Sequence, residues 1–272
     1  MSLTNFIPTV WSETLYSQMD KKYVAVANCS REFEGEIKEK GSSVTICGIS
    51  DIAVFDYTRN TDFATAAQTL SDSARDLIIS QAKAFNFVID DIDRAQASPH
   101  LMDIAVKNAA DALANTADQY IFSFYNRAST KIASTATVDN ILSLIIDART
   151  KLLESNVYDP GDIVVEVSPA VAALILKSKI NTTTADTALE TGCIGNVAGC
   201  KVFVSNNIVV KDGVHECMVR SKRAIAFAEQ LSEIDAYRPE KRFADAVKGL
   251  HLYGATVVYP SEMVRLSLTV GA

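Results

Sequence analysis

Apolar positions recur along this chain with two different spacings, and they divide it into strand-like and helix-like stretches. Pro8 breaks any long helix near the start, and residues 12–22 then predict one amphipathic turn in which Leu15 and Met19 share a face with Trp11. From Glu32 onward alternation takes over. Glu32-Phe33-Glu34-Gly35-Glu36-Ile37 and Ser43-Val44-Thr45-Ile46-Cys47 predict strands on either side of a Lys40-Gly41 turn. Residues 52–57, with Phe55 and Tyr57, and residues 77–89 predict two longer strands. The Thr-, Ala- and Asp-rich stretch 58–76 between them predicts a long hairpin with a soft tip. A two-stranded ribbon is marginal alone in water, so it needs a surface to lie on, which another copy can supply.

The spacing then becomes helical. Ser98 is a good N-cap, and Pro99 fits the first helical position, where its missing N–H is no loss. Leu101, Ile104, Ala105, Ala109, Ala112, Leu113, Ala117, Tyr120, Ile121 and Phe124 fall on one stripe and predict a single helix over about 99–127. An α/β region follows over 131–230. Thr137 caps a helix carrying Val138, Ile141, Ile145, Ala148 and Leu152, residues 163–167 form a strand, and Ser168-Pro169 starts a short apolar helix over 170–176. Residues 201–204 read as a strand, Asn206-Asn207 as a turn, and Asp212-Gly213 as the centre of a hairpin. Strands return at 234–237, 249–259 and 264–270.

Composition narrows the function classes. The chain has 272 residues, 48% hydrophobic and 22% charged, which suits one large folded domain or two modest ones. Its net charge of −7 argues against a grip on nucleic acid through many phosphates, which takes a basic footprint. It does not argue against a wall that merely surrounds nucleic acid. No apolar run approaches the ~20 residues of a membrane span, and no basic region precedes an apolar core at the N-terminus, so no membrane partner and no secretion are expected. Cys29, Cys47, Cys193, Cys200 and Cys217 are odd in number and predict reduced, mostly buried thiols. They lack CxxC spacing, and His100, His215 and His251 are scattered, so no metal and no cofactor are expected.

Four features invite a chemical reading. Residues 192–199 are glycine-rich, but the spacing fits neither a dinucleotide fingerprint nor a P-loop, and a turn-rich surface loop is expected. Asp90, Asp91 and Asp93 could hold a divalent cation, yet they stand ahead of a helix start, where the helix dipole favours negative charge. Arg238, Glu240, Lys241, Arg242 and Asp245 crowd around Pro239 and suit an ion-pair network, solvated or set at an interface. Ser168 and Ser205 lie in no nucleophile elbow, and His251 is near neither in sequence, so no catalysis is expected. Trp11 is the only tryptophan. A large aromatic near a terminus anchors it, onto its own domain or onto a neighbouring subunit.

Two terminal signatures decide among these readings. Asn5-Phe6-Ile7-Pro8-Thr9-Val10-Trp11-Ser12 stands near the start, and Ala236-Tyr237-Arg238-Pro239-Glu240-Lys241-Arg242-Phe243-Ala244-Asp245 opens a run that continues to Ala255. With residues 33–37, 90–93, 164–169, 202–207 and 228–254 in order between and around them, the chain resembles the major capsid proteins of tailed bacteriophages, with the Hong Kong 97-type fold. The resemblance implies an α+β fold with an N-terminal arm at 1–30 and an extended β-hairpin loop with peripheral-domain strands at 31–97. A spine helix of the peripheral domain at 98–130, an axial α/β domain at 131–230 and peripheral return strands at 231–272 complete it. The function implied is a self-assembling head shell, icosahedral or prolate, built of pentamers and hexamers and enclosing double-stranded DNA without sequence-specific binding. Interfaces of the obligate class, roughly 2,000–5,000 Å² per pair, are expected, with Trp11, Phe55, Tyr57, Arg238, Glu240, Lys241 and Arg242 as candidate contacts. The chain starts almost at the arm, so a separate scaffolding protein and a portal are expected partners, with assembly in the host bacterial cytoplasm and a place in the virion. Two alternatives remain at this point: an encapsulin-like nanocompartment shell, and, more distantly, a soluble nucleotide-binding enzyme using the glycine-rich segment.

Overall fold

The long helix forms where its spacing places it. In the computed structural model, which describes residues 15, 18–19, 22–32, 43–49, 59, 72–90, 101–157, 159–178, 193–240 and 243–271, helix α1 spans Leu101–Phe122 and tightens into a 3-10 turn over Ser123–Arg127. The Ser98-Pro99 start lies outside the described residues. The buried stripe is Val106, Ala110, Leu113, Ala114, Ala117 and Ile121, whereas Ile104 and Ala112 face outward. The run of alanines fits several helical phases, and tertiary packing chose one offset from the predicted stripe.

Two sheets flank this helix. The smaller is a three-stranded antiparallel sheet in the order β10-β11-β3, built from β3 (Gln81–Asp90), β10 (Ile225–Tyr237) and β11 (Ala244–Val257). Its inner face meets α1 through aromatic rings, with centroids 5.6 Å apart for Tyr120 and Tyr253 and 6.0 Å for Phe227 and Tyr253. Its outer face carries a ribbon of β1 (Ser43–Ile49) and β2 (Asp72–Ile78), seated through Val44, Ile46, Leu77 and Ile79 on Ala226, Ala228, Leu252 and Val258. The ribbon thus has its surface within the same chain at its base. Its described pairing sets residues 43–49 against 72–78. The predicted strand 77–89 is two strands, parted at Ile79-Ser80, because β2 serves the ribbon and β3 pairs with β11. Residues 33–37 and 52–57 lie outside the described residues.

The larger sheet is mixed and seven-stranded, in the order β4-β12-β9-β5-β7-β6 with β8 on β9. Its strands are β4 (Thr130–Ala136), β5 (Ile163–Val167), β6 (Cys193–Val197), β7 (Cys200–Val204), β8 (Val210–Lys211), β9 (Val214–Ser221) and β12 (Met263–Val270). Strand β5 is buried at every position, so it reads as one apolar run interrupted only by Glu166. Helix α2 (Ile141–Glu154) lays Ile141, Ile145, Ala148 and Leu152 on the sheet, and helix α3 (Pro169–Lys177) packs beside it. Ser168 caps α3 as expected, its Oγ accepting from the Val171 N–H at 3.4 Å. Helix α2 opens after Asn140 rather than Thr137, because the Asn140 carboxamide accepts the Thr137 N–H at 2.8 Å and folds the entry into a turn.

Three further differences concern this sheet. Strand β4 was not predicted, because its Thr, Ser and Ala residues carry little apolar signal. Strand β12 joins the larger sheet, parallel to β4 and antiparallel to β9, rather than the other returning strands. The glycine-rich segment is a hairpin and not a surface loop: β6 and β7 pair through a turn at Ala198 and Gly199, with φ of 52° and 80°. The Asp212-Gly213 hairpin stands as predicted, with φ of 52° and 77°.

Candidate functional site

Chemistry-bearing side chains gather where the N-terminal segment meets both sheets. Leu15 and Met19 are helical and fully buried in the main core, so this part of the amphipathic turn packs onto its own chain. The segment after them is fastened by charge. Asp118, on the buried side of α1, accepts the backbone N–H groups of Val24, Ala25 and Val26, each at 3.0 Å. Arg220 of β9 donates Nε and Nη2 to Glu166 of β5 at 3.0 and 2.8 Å, Nη1 to the Asn28 carbonyl at 2.6 Å and Nη2 to the Ala25 carbonyl at 3.1 Å. Glu229 of β10 accepts from Tyr23 and Arg31 and faces His251 Nε2 at 2.9 Å. Ser30 completes the join, donating to the Ile225 carbonyl and accepting from Phe227 N–H, both at 2.9 Å.

The electrostatics follow from burial. Removal from water pushes the Asp118 carboxyl up to about 6, against the pull of its three N–H donors. Burial raises the Tyr23 hydroxyl strongly, and the neighbouring Glu229 raises it further. Burial opposes charge on Arg220, but Glu166 outweighs it and holds the guanidinium above its ordinary value. Cys29, Cys200 and Cys217 are all buried. Desolvation pushes Cys29 to about 11 and Cys217 to about 12.

This constellation positions backbone. Ser168 caps a helix, Ser205 Oγ accepts from Asn207 N–H at 3.2 Å, and His251 is committed to Glu229. Among the described residues, no group of three or more His, Cys, Asp or Glu is placed to hold a metal ion, and no helix is long and apolar enough to cross a membrane.

The second concentration is the connection between β10 and β11, which carries the charged run. Arg238 Nε donates to Asp245 Oδ1 at 3.1 Å, and the Arg238 side chain remains 66% exposed. Glu240 is exposed in the same connection. Trp11, Phe55, Tyr57, Lys241 and Arg242 lie outside the described residues. Sequence reasoning overlooked Phe243, which is 85% exposed beside Asp245 and Arg238. Charge draws attention to this connection, but an aromatic in it reads as exposed only once both flanking strands are placed. Asp118, Glu166, Arg220 and Glu229 were also overlooked. Glu166 and Arg220 stand out as charges inside apolar strands, but nothing in the linear sequence pairs them.

The comparisons with known proteins agree with this architecture. A family model described as phage capsid protein matches residues 64–266. The structure is similar to one from Mycobacterium phage Che8, with 31% identity, 90% of each chain covered and a TM-score of 0.71. The capsid of Ralstonia phage GP4 is similar at 11% identity, covering 93% of this chain and 91% of that one, with a TM-score of 0.73. A virus-like particle from Pyrococcus furiosus shares the fold at 10% identity over 98% of this chain and 100% of that one, with a TM-score of 0.60. A search of curated proteins found no match. The fold is the Hong Kong 97-type α+β fold, and the family match favours a phage coat over a nanocompartment. Because the family model spans well over half of its length, the chain belongs to the phage capsid protein family.

Proposed function

We propose that this major capsid protein closes, as pentamers and hexamers, into a head shell that holds double-stranded DNA mechanically. A separate scaffolding protein and a portal take part, and assembly occurs in the host bacterial cytoplasm before the protein takes its place in the virion. The observation that carries this reading is the match to a phage capsid over nearly the whole of both chains, joined to the family match. A chain of net charge −7 suits a container that does not grip its contents. The protein is structural, and its working parts are contacts between copies.

The division of labour follows the implied plan: arm at 1–30, extended loop region at 31–97, spine helix at 98–130, axial domain at 131–230 and peripheral return at 231–272. Strand β12 supports a refinement in which the last strand of the chain serves the axial sheet. Trp11, Phe55, Tyr57, Arg238, Glu240, Lys241 and Arg242 are the proposed contact residues, and the exposure of Phe243 adds it to them.

The test is expression of the chain alone and with its neighbouring phage genes, followed by size-exclusion chromatography and negative-stain electron microscopy. Rings, tubes or thin-walled polyhedra are expected in the void volume. A monomer under both conditions would overturn the reading.

A further inference from the structure

A cleft of about 370 Å³ opens at the base of the β1–β2 ribbon. Its floor is apolar, formed by Ile46, Ala226, Val258 and the ring of Tyr259, and its rim carries Glu32, Asp159 and Asp162. Among the described lining residues the cation is Arg223, which donates to Glu262 and lies over the Tyr259 ring at 4.7 Å. The cleft therefore offers an aromatic-sized seat inside an acidic rim.

The β10–β11 connection with its flank, residues 238–245, carries one more base than acid in its sequence. Phe243 projects with 85% exposure, and the flanking sequence supplies Arg238, Lys241 and Arg242 against Glu240 and Asp245. The two surfaces lie at opposite ends of the same strand, because Ala226 lines the cleft and Tyr237 abuts the connection. At strand rise they are about 35 Å apart. A chain cannot fill its own cleft with its own tip.

We propose that the tip of one copy, led by Phe243, seats in the ribbon-base cleft of a neighbouring copy, with the basic side chains of the tip against Glu32, Asp159 and Asp162. An aromatic anchor in a desolvated pocket with charge-complementary edges is the usual form of an interface hot spot. The contact is heterologous, so repeated head-to-tail use generates a ring or a continued lattice rather than an isolated dimer. It rests on the shell reading and specifies one of its interfaces.

The experiment is cross-linking of assembled particles with a short bis-maleimide. Phe243→Cys with Tyr259→Cys in the same chain is expected to give a ladder of covalent multimers on a denaturing gel, and neither single variant to give one. Dimers from Phe243→Cys alone would mean that tips meet tips and would overturn the proposal, as would the absence of a ladder from well-formed particles. In parallel, Phe243→Asp is expected to lower particle yield by roughly tenfold or more while the thermal melt of the subunit is unchanged. Normal yield from that variant would also overturn the contact. A wild-type chain that forms no particles under any condition would instead overturn the shell reading, and the contact with it.

Discussion

Arg220 meets Glu166 in a two-pronged pair from which water is excluded on both sides, each side chain being 0% exposed. The same guanidinium holds the carbonyls of Ala25 and Asn28, so one side chain joins two strands of the larger sheet to the N-terminal segment.

Arg220→Met is expected to destabilise the subunit by about 3–5 kcal/mol, because it strands a buried carboxylate. Arg220→Met with Glu166→Leu removes both charges and is expected to recover much of that loss without restoring the two arm hydrogen bonds. Urea denaturation measures the first effect. Limited proteolysis near residues 22–31 measures the second, and cutting there should stay faster than wild type in both variants.

Asp118 sets a pH dependence whose sign is unusual for a carboxylate. Its folded value of about 6 exceeds its ordinary 3.8, so the folded chain binds the proton more tightly than the unfolded one. Its contribution to stability is therefore full below about pH 4 and is lost as pH rises through 6. The shift corresponds to about 3 kcal/mol. Urea titrations between pH 4 and 7.5 on wild type and Asp118→Asn test this. The wild-type advantage should shrink as pH rises, and a difference independent of pH would count against it.

Gly254 is where β11 passes beneath the end of the ribbon. A β-carbon there would stand 2.3 Å from the Ile78 carbonyl oxygen and 3.0 Å from the Ile79 Cα, both backbone atoms that no rotamer change can move. Gly254→Ala is expected to cost about 1–3 kcal/mol, seen as a fall of several degrees in Tm by circular dichroism.

The thiols offer a simple check on the core. In the native protein at pH 8, an aromatic disulfide reagent should leave Cys29, Cys200 and Cys217 unmodified, since burial both hides them and raises their thiols. All five cysteines should react in urea. Labelling of Cys217 in the native state would mean that the larger sheet opens readily.

Local signals carried much of the fold. The Ser168-Pro169 cap, the Asp212-Gly213 hairpin and the apolar spacing of α2 each act over a few residues, and each forms as the sequence implies. What remained hidden was pairing at a distance. Strand β3 finds β11 across more than half the chain, and β4, all small and hydroxylated side chains around Lys131 and Ile132, is a strand only because β12 runs alongside it. The contact surface was legible in part. Charges drew attention to the β10–β11 connection, but Phe243 shows its meaning only once both strands are seen to leave it outside the core. The polar join was illegible for the same reason as the pairings: Asp118, Glu166, Arg220 and Glu229 come from four separate elements.

That join also imposes an order on synthesis. The segment around residues 23–31 leaves the ribosome before its partners do, since Arg220 follows Asn28 by 192 residues and the Ile225–Phe227 edge comes later still. At about 5–20 residues per second, the early segment waits on the order of ten seconds or more for its last partners. A chain stalled before residue 220 therefore cannot complete its anchorage, so only molecules elongated past Phe227 acquire the conformation that a growing lattice would accept.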